Sequence, residues 1–212
     1  MAAAHIDHVI LAVRDLDEAA RRLLADFGLG SVFGGRHEGW GTGNVIVPLG
    51  SSYVELIGVV DETEAAHSDL GRRVLARVEE GDRLLGWCVR IEPLQKAADR
   101  LELAVSEGSR LRPDGTTLRW RMAGLADAMA DPSRPFFISW LVPKALHPGR
   151  TTVYHPAAPR DLAWVEVSGD EATIRRWLGP DAGSLPVRIR PGSQALVAAG
   201  ISTASGNEIV LR

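Results

Sequence analysis

His8 and Glu55 are the residues of this chain whose types and settings best suit chemistry. Each lies in a short, mainly apolar run, residues 5–13 for the histidine and residues 53–57 for the carboxylate. An imidazole and a carboxylate that face one cleft can act as general acid and general base. His37 is a further candidate, and we take Glu55 and His37 as the candidate catalytic residues.

The alternation within both runs predicts that His8 and Glu55 point the same way. Successive side chains of a strand face opposite sides of the sheet. One side collects apolar residues that suit packing against a helix, namely Val9, Leu11, Val13, Val54 and Leu56. His8 and Glu55 then face away from that helix, toward solvent or a polar cleft.

A helix and three strands are predicted around these positions. Asp15 is the expected helix cap, with Glu18 three residues on as in a capping box, and the helix runs to about Phe27. Strands follow around residue 32, over 44–49 and over 53–57.

Residues 34–44 are rich in glycine but lack the spacing of a phosphate-binding loop. Their composition predicts a flexible hairpin or lid that carries His37 and Trp40. An exposed loop histidine without a function is the alternative for His37.

The same order of elements recurs in the middle of the chain. Residues 94–101 repeat the order Leu-x-x-Ala-Ala-x-Arg-Leu of residues 16–23 without a gap. A strand is predicted before this second helix, and three strands after it, at 84–91, around 110, over 118–122 and over 136–142. The chain therefore contains an internal duplication. A helix from Ser68 to about Glu80 joins the two copies.

The predicted fold class is α+β, with tandem βαβββ units in residues 1–145 and a third, shorter βαβββ-like unit behind them. The tandem units span about residues 5–60 and 84–142. Residues 146–212 comprise a proline-rich linker and the C-terminal unit, which is expected to pack on the tandem domain.

Composition excludes several classes of partner. The net charge of -3 gives no electrostatic footprint for nucleic acid, and no apolar run is long enough to span a membrane. The N-terminal residues lack the features of a signal peptide. Cys88 is the single cysteine, so we expect no internal disulfide and a reducing, cytoplasmic location.

Several segments together resemble the vicinal oxygen chelate superfamily, and more narrowly the bacterial glyoxalase-like domain proteins. These segments are Ile6-Asp7-His8-Val9, Asp15-Leu16, Gly34-Gly35-Arg36-His37, Gly41-Thr42-Gly43-Asn44, Tyr53-Val54-Glu55-Leu56-Ile57 and Pro135-Phe136-Phe137-Ile138-Ser139-Trp140. The resemblance covers residues 5–145 well. It implies that the two units form a curved, half-open barrel around a cleft.

The resemblance also implies a metal site, whose ligands come from the first and last strand of each unit. His8 and Glu55 occupy two of those positions and would bind a divalent ion such as Zn, Ni, Mn or Fe. In the second unit Gly86 and Ser139 take the corresponding places, and neither completes a triad of two histidines and one carboxylate. His37 is the remaining candidate for a third ligand.

An aromatic wall with a few polar groups is what a small-molecule site needs. The residues expected in this cleft are Trp40, Asn44, Arg90, Arg121, Ser139 and Trp140. Arg90 would bind a carboxylate or an enolate of the ligand. The alternative is that the tryptophans, Trp87 and Trp120 among them, belong to the core and that the arginines form a solvated face.

Two functions of different classes remain open. The first is a metal-dependent lyase or isomerase that acts on an oxygen-bearing organic substrate. The second is a non-catalytic protein that binds a drug or metabolite, as bleomycin-resistance proteins do. A dioxygenase is disfavoured because the second histidine ligand is missing. The third unit could cover a sheet edge or join two copies into a homodimer.

Overall fold

The computed structural model of the protein describes residues 4–79 and 81–212. Its first part has the predicted strand, helix and three strands: β1 (His5–Ala12), α1 (Leu16–Phe27), β2 (Val32–His37), β3 (Thr42–Pro48) and β4 (Tyr53–Val59). Asp15 caps α1 as predicted, because its side chain accepts a hydrogen bond of 2.9 Å from the backbone N–H of Glu18. Gly28, at φ 64°, ends the helix in the left-handed conformation.

Of the two predicted alternatives, a flexible hairpin or a lid, the structure has the hairpin, and its turn is tight. Residues 34–37 belong to β2 and residues 42–44 belong to β3, so only residues 38–41 lie outside the two strands. The glycines allow close approach here rather than a long loop. A Cβ at Gly34 would overlap the side-chain oxygen of Asn44 and the guanidinium of Arg110. His37 is consequently a strand residue with a largely buried side chain.

Two helices, α2 (Glu62–Ala66) and α3 (Asp69–Val78), lead to the second copy. Ser68 caps α3 through a hydrogen bond of 2.9 Å from the N–H of Gly71; Glu80, the predicted end of this helix, lies outside the described residues. The second copy comprises β5 (Arg83–Arg90), α4 (Leu94–Leu101), β6 (Val105–Leu111), β7 (Thr117–Ala123) and β8 (Phe136–Trp140). A short helix that the sequence did not predict, α5 (Leu125–Ala130), lies between β7 and β8.

The two copies form one curved, nearly closed sheet with the strand order β2-β3-β4-β1-β5-β8-β7-β6. Within each copy the first strand pairs in parallel with the last one, β1 with β4 and β5 with β8. The antiparallel pair of β1 and β5 joins the copies at the centre. The outer strands β2 and β6 approach each other where Arg110 reaches Asn44, with 2.6 Å between Nη1 and Oδ1.

The two faces of this sheet are covered differently. The helix face packs on α1 and α4 through a core that includes the predicted set Val9, Leu11, Val13, Val54 and Leu56. The cavity face is covered by α3 and α5, through Val74 and Met129 among others. His8 and Glu55 lie on the cavity face, as the alternation of the strands predicted.

The C-terminal unit consists of β9 (Pro159–Ser168), α6 (Glu171–Ala182), β10 (Val187–Arg190), β11 (Ala195–Thr203) and β12 (Glu208–Leu211). The predicted order of a strand, a helix and three strands is present. The pairing differs from that of the tandem units, because β9 pairs with β10 and β11 in a separate sheet of order β10-β9-β11-β12. Val165 and Ile201 of this sheet are fully buried in the same core as α1 and α4. Within the described residues, no helix is long and apolar enough to cross a membrane.

Candidate functional site

A cavity lies between the cavity face of the sheet and helices α3 and α5. The centres of water-sized groups can occupy ≈ 70 Å³ of it, and all the space between its lining side chains, open solvent included, is ≈ 600 Å³. Its polar side chains are His8, His37, Asn44, Tyr53, Glu55 and Arg110. Its apolar side chains are Ile10, Trp40, Ile57, Leu70, Trp120, Met122, Leu125, Met129, Phe136, Ile138 and Trp140. A mainly apolar cavity with a few polar groups is the usual form of a small-molecule site.

A carboxylate that the sequence did not single out orients His8. The register of β1 against β5 shifts between Ile6 and His8, which leaves Asp7 unpaired in a bulge. Asp7 Oδ1 lies 2.9 Å from His8 Nδ1. The ring of His8 also stacks on Tyr53, with 4.5 Å between centroids. The ionised Asp7 therefore accepts the Nδ1 proton, and the Nε2 lone pair of His8 faces the cavity.

Asp7 is fully buried and receives four donors. Beside the bond from His8, its Oδ2 lies 3.0 Å from His147 Nε2, 3.1 Å from Arg90 Nη1 and 3.2 Å from Trp140 Nε1. His147 Nδ1 accepts from the N–H of Gly149, which leaves the ring proton on Nε2 for Asp7. Burial alone raises the pKa of Asp7, but the hydrogen bonds from His147 and His8 outweigh it and hold the pKa well below its ordinary value.

Glu55 is held by a second network, on the β3 side of the cavity. Asn44 donates to Glu55 Oε1 at 2.5 Å, and the same amide nitrogen lies 3.2 Å from His37 Nε2. The Asn44 oxygen accepts from Arg110, while His37 Nδ1 is 3.0 Å from the hydroxyl of Thr42. Asn44 therefore links the carboxylate, the imidazole and the guanidinium in fixed positions.

At two places in this site an imidazole nitrogen faces a carboxylate oxygen of Glu55 without a hydrogen bond between them. His8 Nε2 is 3.7 Å from Glu55 Oε2, and His37 Nε2 is 3.7 Å from Glu55 Oε1. Both distances exceed the length of a hydrogen bond. Asp7 accepts the Nδ1 proton of His8, and the amide nitrogen of Asn44 donates to His37 Nε2, so that each gap has an acceptor at both ends. The amide nitrogen of Asn44 already serves both acceptors of the second gap, whereas the gap between His8 and Glu55 suits a group that brings a proton or a positive charge.

Three of the six residues expected in the cleft line the cavity, and three do not. Trp40, Asn44 and Trp140 line it. The predictions for Arg121 and Ser139 were wrong, because Trp120, Met122, Ile138 and Trp140 face the cavity and their neighbours point to the opposite side of the same strands. Arg121 is exposed, and Ser139 donates to Glu92 at 2.6 Å.

The placement of Arg90 in the cleft was also wrong. Its guanidinium reaches Asp7 from beyond the end of the cavity and lines a separate pocket. Trp87 is fully buried in the core of the helix face, which agrees with the alternative prediction that it is a core residue.

The register of the second unit differs from the sequence comparison. Cys88 pairs with Phe136 and Arg90 with Ile138, as His8 pairs with Tyr53 and Ile10 with Glu55. Cys88 and Ile138 therefore stand where His8 and Glu55 stand in the first unit, rather than Gly86 and Ser139. The second unit presents apolar side chains to the cavity at the positions of Tyr53 and Glu55.

Asp7, His8 and Cys88 are the one group in the described part of the chain whose three potential ligand atoms all lie within 4.8 Å of one another. Their other interactions do not suit an ion. Asp7 already accepts four donors, and burial raises the pKa of the Cys88 thiol well above its ordinary value. A metal bound here would have to displace the hydrogen bond of His8 and deprotonate Cys88.

Reasoning from the sequence missed Asp7, Arg110 and His147. Asp7 stands beside His8, but strict alternation places it on the helix face, and only the bulge turns it toward His8. Arg110 is the one buried residue of β6, and nothing in its segment of the sequence marks it. His147 lies in the proline-rich linker, 140 residues from Asp7.

The buried His37 should make stability depend on pH. Burial lowers the pKa of His37 from its ordinary value of 6.5, against the attraction of Glu55. The unfolded chain therefore takes up a proton near pH 6.5 that the folded protein resists. The free energy of unfolding should be highest above pH 6.5 and decrease as the pH falls below it. Denaturant titrations at about pH 7.5 and 5.5 should show a smaller decrease for His37→Gln than for the native protein.

An equal decrease in both proteins would contradict this assignment to His37. The comparison between the two is needed because burial also lowers the pKa of His155, which adds to the slope in both.

The duplicated unit, the single curved sheet and the cavity on one of its faces agree with the architecture that the resemblance to glyoxalase-like proteins implied. The chain belongs to the glyoxalase-like domain family, whose model matches residues 6–179. Among curated proteins, no significant match was found.

Several solved structures are similar to this chain. A hypothetical protein from Staphylococcus aureus is similar over 99% of both chains, with a TM-score of 0.73 at 17% identity. Methylmalonyl-CoA epimerase from Mycobacterium tuberculosis is 19% identical and has a TM-score of 0.47, over 66% of this chain and 89% of that chain. A Streptomyces coelicolor methylmalonyl-CoA epimerase variant in complex with 2-nitronate-propionyl-CoA is 18% identical, with a TM-score of 0.48, over 65% and 98% of the two chains. The likeness to the Staphylococcus aureus protein shows a common fold along the whole chain.

Proposed function

We propose that the protein binds a small, largely apolar organic molecule with an oxygen-bearing end, and that His8 and Glu55 move a proton on it. The observation that carries this proposal is the 3.7 Å gap between His8 Nε2 and Glu55 Oε2, at the polar end of an otherwise apolar cavity. The reaction class that fits is an isomerisation or a lyase reaction that begins with removal of a proton next to a carbonyl group.

One proton shared by the pair makes one group the acid and leaves the other as the base. The base removes a proton from the carbon beside the carbonyl, and the electron pair of the broken C–H bond moves to the carbonyl oxygen as an enolate. The acid returns a proton to complete an isomerisation. The guanidinium of Arg110 lines the same cavity and supplies a positive charge for the enolate.

The residues present do not fit a catalytic metal. Such sites usually have three protein ligands and an open position. His8 and Glu55 supply two ligands, while the corresponding positions of the second unit hold Cys88 and Ile138. His37 Nε2 faces the other oxygen of Glu55 and is 3.2 Å from Asn44. The cation already at this end of the cavity is Arg110. The proposed proton transfer therefore involves no metal.

A second candidate function is binding without reaction, as in the drug-sequestering proteins of this superfamily. The specific observation in its favour is the lining of the cavity, where Trp40, Trp120 and Trp140 offer large apolar surfaces. Such surfaces would hold a ligand whether or not His8 and Glu55 act on it.

Proton exchange in D₂O separates the two functions. Small 2-oxo acids, hydroxyketones and aromatic ketones would be incubated with the protein, and NMR would follow both binding and the replacement of hydrogen by deuterium next to the carbonyl. We expect exchange of at least one bound compound, and its loss in His8→Gln with binding retained. Metal content of the protein purified without chelator should stay well below one ion per chain. Ligands that bind without any exchange would overturn the catalytic proposal in favour of the binding one.

A further inference from the structure

A second pocket borders the cavity at Trp140, whose ring lines both. It lies on the Oδ2 side of Asp7, whereas His8 occupies the Oδ1 side. Three permanently basic side chains line it, Arg90, Lys144 and Arg150, against one carboxylate, Glu92. Asp7 balances the charge of Arg90. The two other cations, Lys144 and Arg150, outnumber the single exposed carboxylate, Glu92. The pocket is therefore positively charged.

Arg90 presents an unused edge to this pocket. Its Nη1 is held by Asp7 Oδ2 at 3.1 Å and by the backbone oxygen of Ser51 at 3.2 Å. Its Nε and Nη2 donate to no residue among those the structure describes, and the side chain is 23% exposed. The anchored Nη1 fixes the plane of the guanidinium. A planar pair of N–H donors is the arrangement that binds a carboxylate or phosphate group through two parallel hydrogen bonds.

We propose that this pocket is an oxyanion site, in which Arg90 binds a carboxylate or phosphate group of a small molecule. Lys144 and Arg150 form no ion pair with any described residue, and they attract the anion and offset its charge. Trp140 closes the inner end of the site and donates its indole N–H to Asp7. The site stands on its own residues and does not depend on whether the neighbouring cavity is catalytic.

Titration with two simple anions tests the site. Inorganic phosphate and acetate would be added separately at constant ionic strength to protein with ¹⁵N-labelled tryptophan, and the indole signal of Trp140, assigned with Trp140→Phe, would be followed. We expect a saturable shift of that signal. Tighter binding of phosphate than of acetate identifies a phosphate site, and equal or tighter binding of acetate identifies a carboxylate site.

Three variants connect the signal to the pocket. Lys144→Ala/Arg150→Ala should weaken binding roughly fivefold. Arg73→Ala/Arg121→Ala, which removes two exposed arginines without ion pairs among the described residues, should leave it unchanged. Arg90→Lys keeps the charge but removes the planar edge, and saturable binding should be lost while the circular dichroism spectrum stays that of the folded protein. The proposal is overturned if neither anion gives a saturable shift, if both double variants weaken binding equally, or if Arg90→Lys binds as the native protein does.

Discussion

Asp7→Asn should lower the free energy of unfolding by about 3–5 kcal/mol, the usual cost of removing one partner from a buried charged pair. Asp7 is fully buried and accepts from His8, His147, Arg90 and Trp140. An amide of the same size removes the negative charge and turns one acceptor into a donor. Arg90 then loses its counter-charge, and at least one of the four donors faces an N–H group. Denaturant unfolding followed by circular dichroism measures the change.

Asp26→Asn is the matched control, since Asp26 is exposed and has no side-chain hydrogen bond among the described residues. It should change the free energy of unfolding by less than about 0.5 kcal/mol. Lowering the pH should act on the native protein as Asp7→Asn does. The pKa of Asp7 is depressed in the folded state, so its contribution is complete above the ordinary value of 3.8 and is lost as the pH falls below it. A loss of less than about 1 kcal/mol in Asp7→Asn would contradict the role of this network.

Glu55→Gln should slow proton exchange on a bound ligand by about 10²–10⁴-fold, the range for loss of a general acid or base. The substitution keeps the size of the side chain and its contact with Asn44, but it removes the charge and the second acceptor that faces His8. Because the apolar lining of the cavity is unchanged, the dissociation constant of the ligand should change by less than about threefold. Exchange rates and dissociation constants from the same NMR titration test both parts.

Ser139→Ala is the control for Glu55→Gln. Ser139 is a buried polar residue of β8, but it faces away from the cavity and donates to Glu92. Its removal should leave both exchange and binding unchanged. If Glu55→Gln exchanges at the native rate, or if Ser139→Ala slows exchange as much, Glu55 is not the acid or base.

The first unit was predictable because its pattern is local. Apolar residues alternate through β1 and β4, and Asp15 and Gly28 cap α1, so the sequence alone places His8 and Glu55 on one face. The duplication was visible through the repeat of residues 16–23 in residues 94–101. A repeat in two helices fixes the spacing of the helices only. It does not determine the register of strands farther along the chain.

The predictions of site residues failed where the direction of a side chain depends on strand register or on a β-bulge. Comparison of the last strands of the two units selected Ser139, one residue from the cavity-facing Ile138. A shift of one residue in a strand reverses the direction of a side chain. The bulge at Asp7 breaks the alternation of β1 in the same way. Arg110 and His147 come from distant segments, so only the folded chain shows that they join the site.

The two copies of the duplicated unit contribute different kinds of side chain to the cavity. Five of its six polar residues come from the first copy, and Arg110 is the exception; Phe136, Ile138, Met122 and Trp120 belong to the second copy. Substitutions at these four positions therefore change the volume and shape of the cavity while leaving the groups around Glu55 in place. In such an arrangement, the range of ligands that fit the cavity can change while the reactive groups stay the same. One half of the duplicated structure thus sets much of the shape of the cavity, and the other half supplies most of its polar groups.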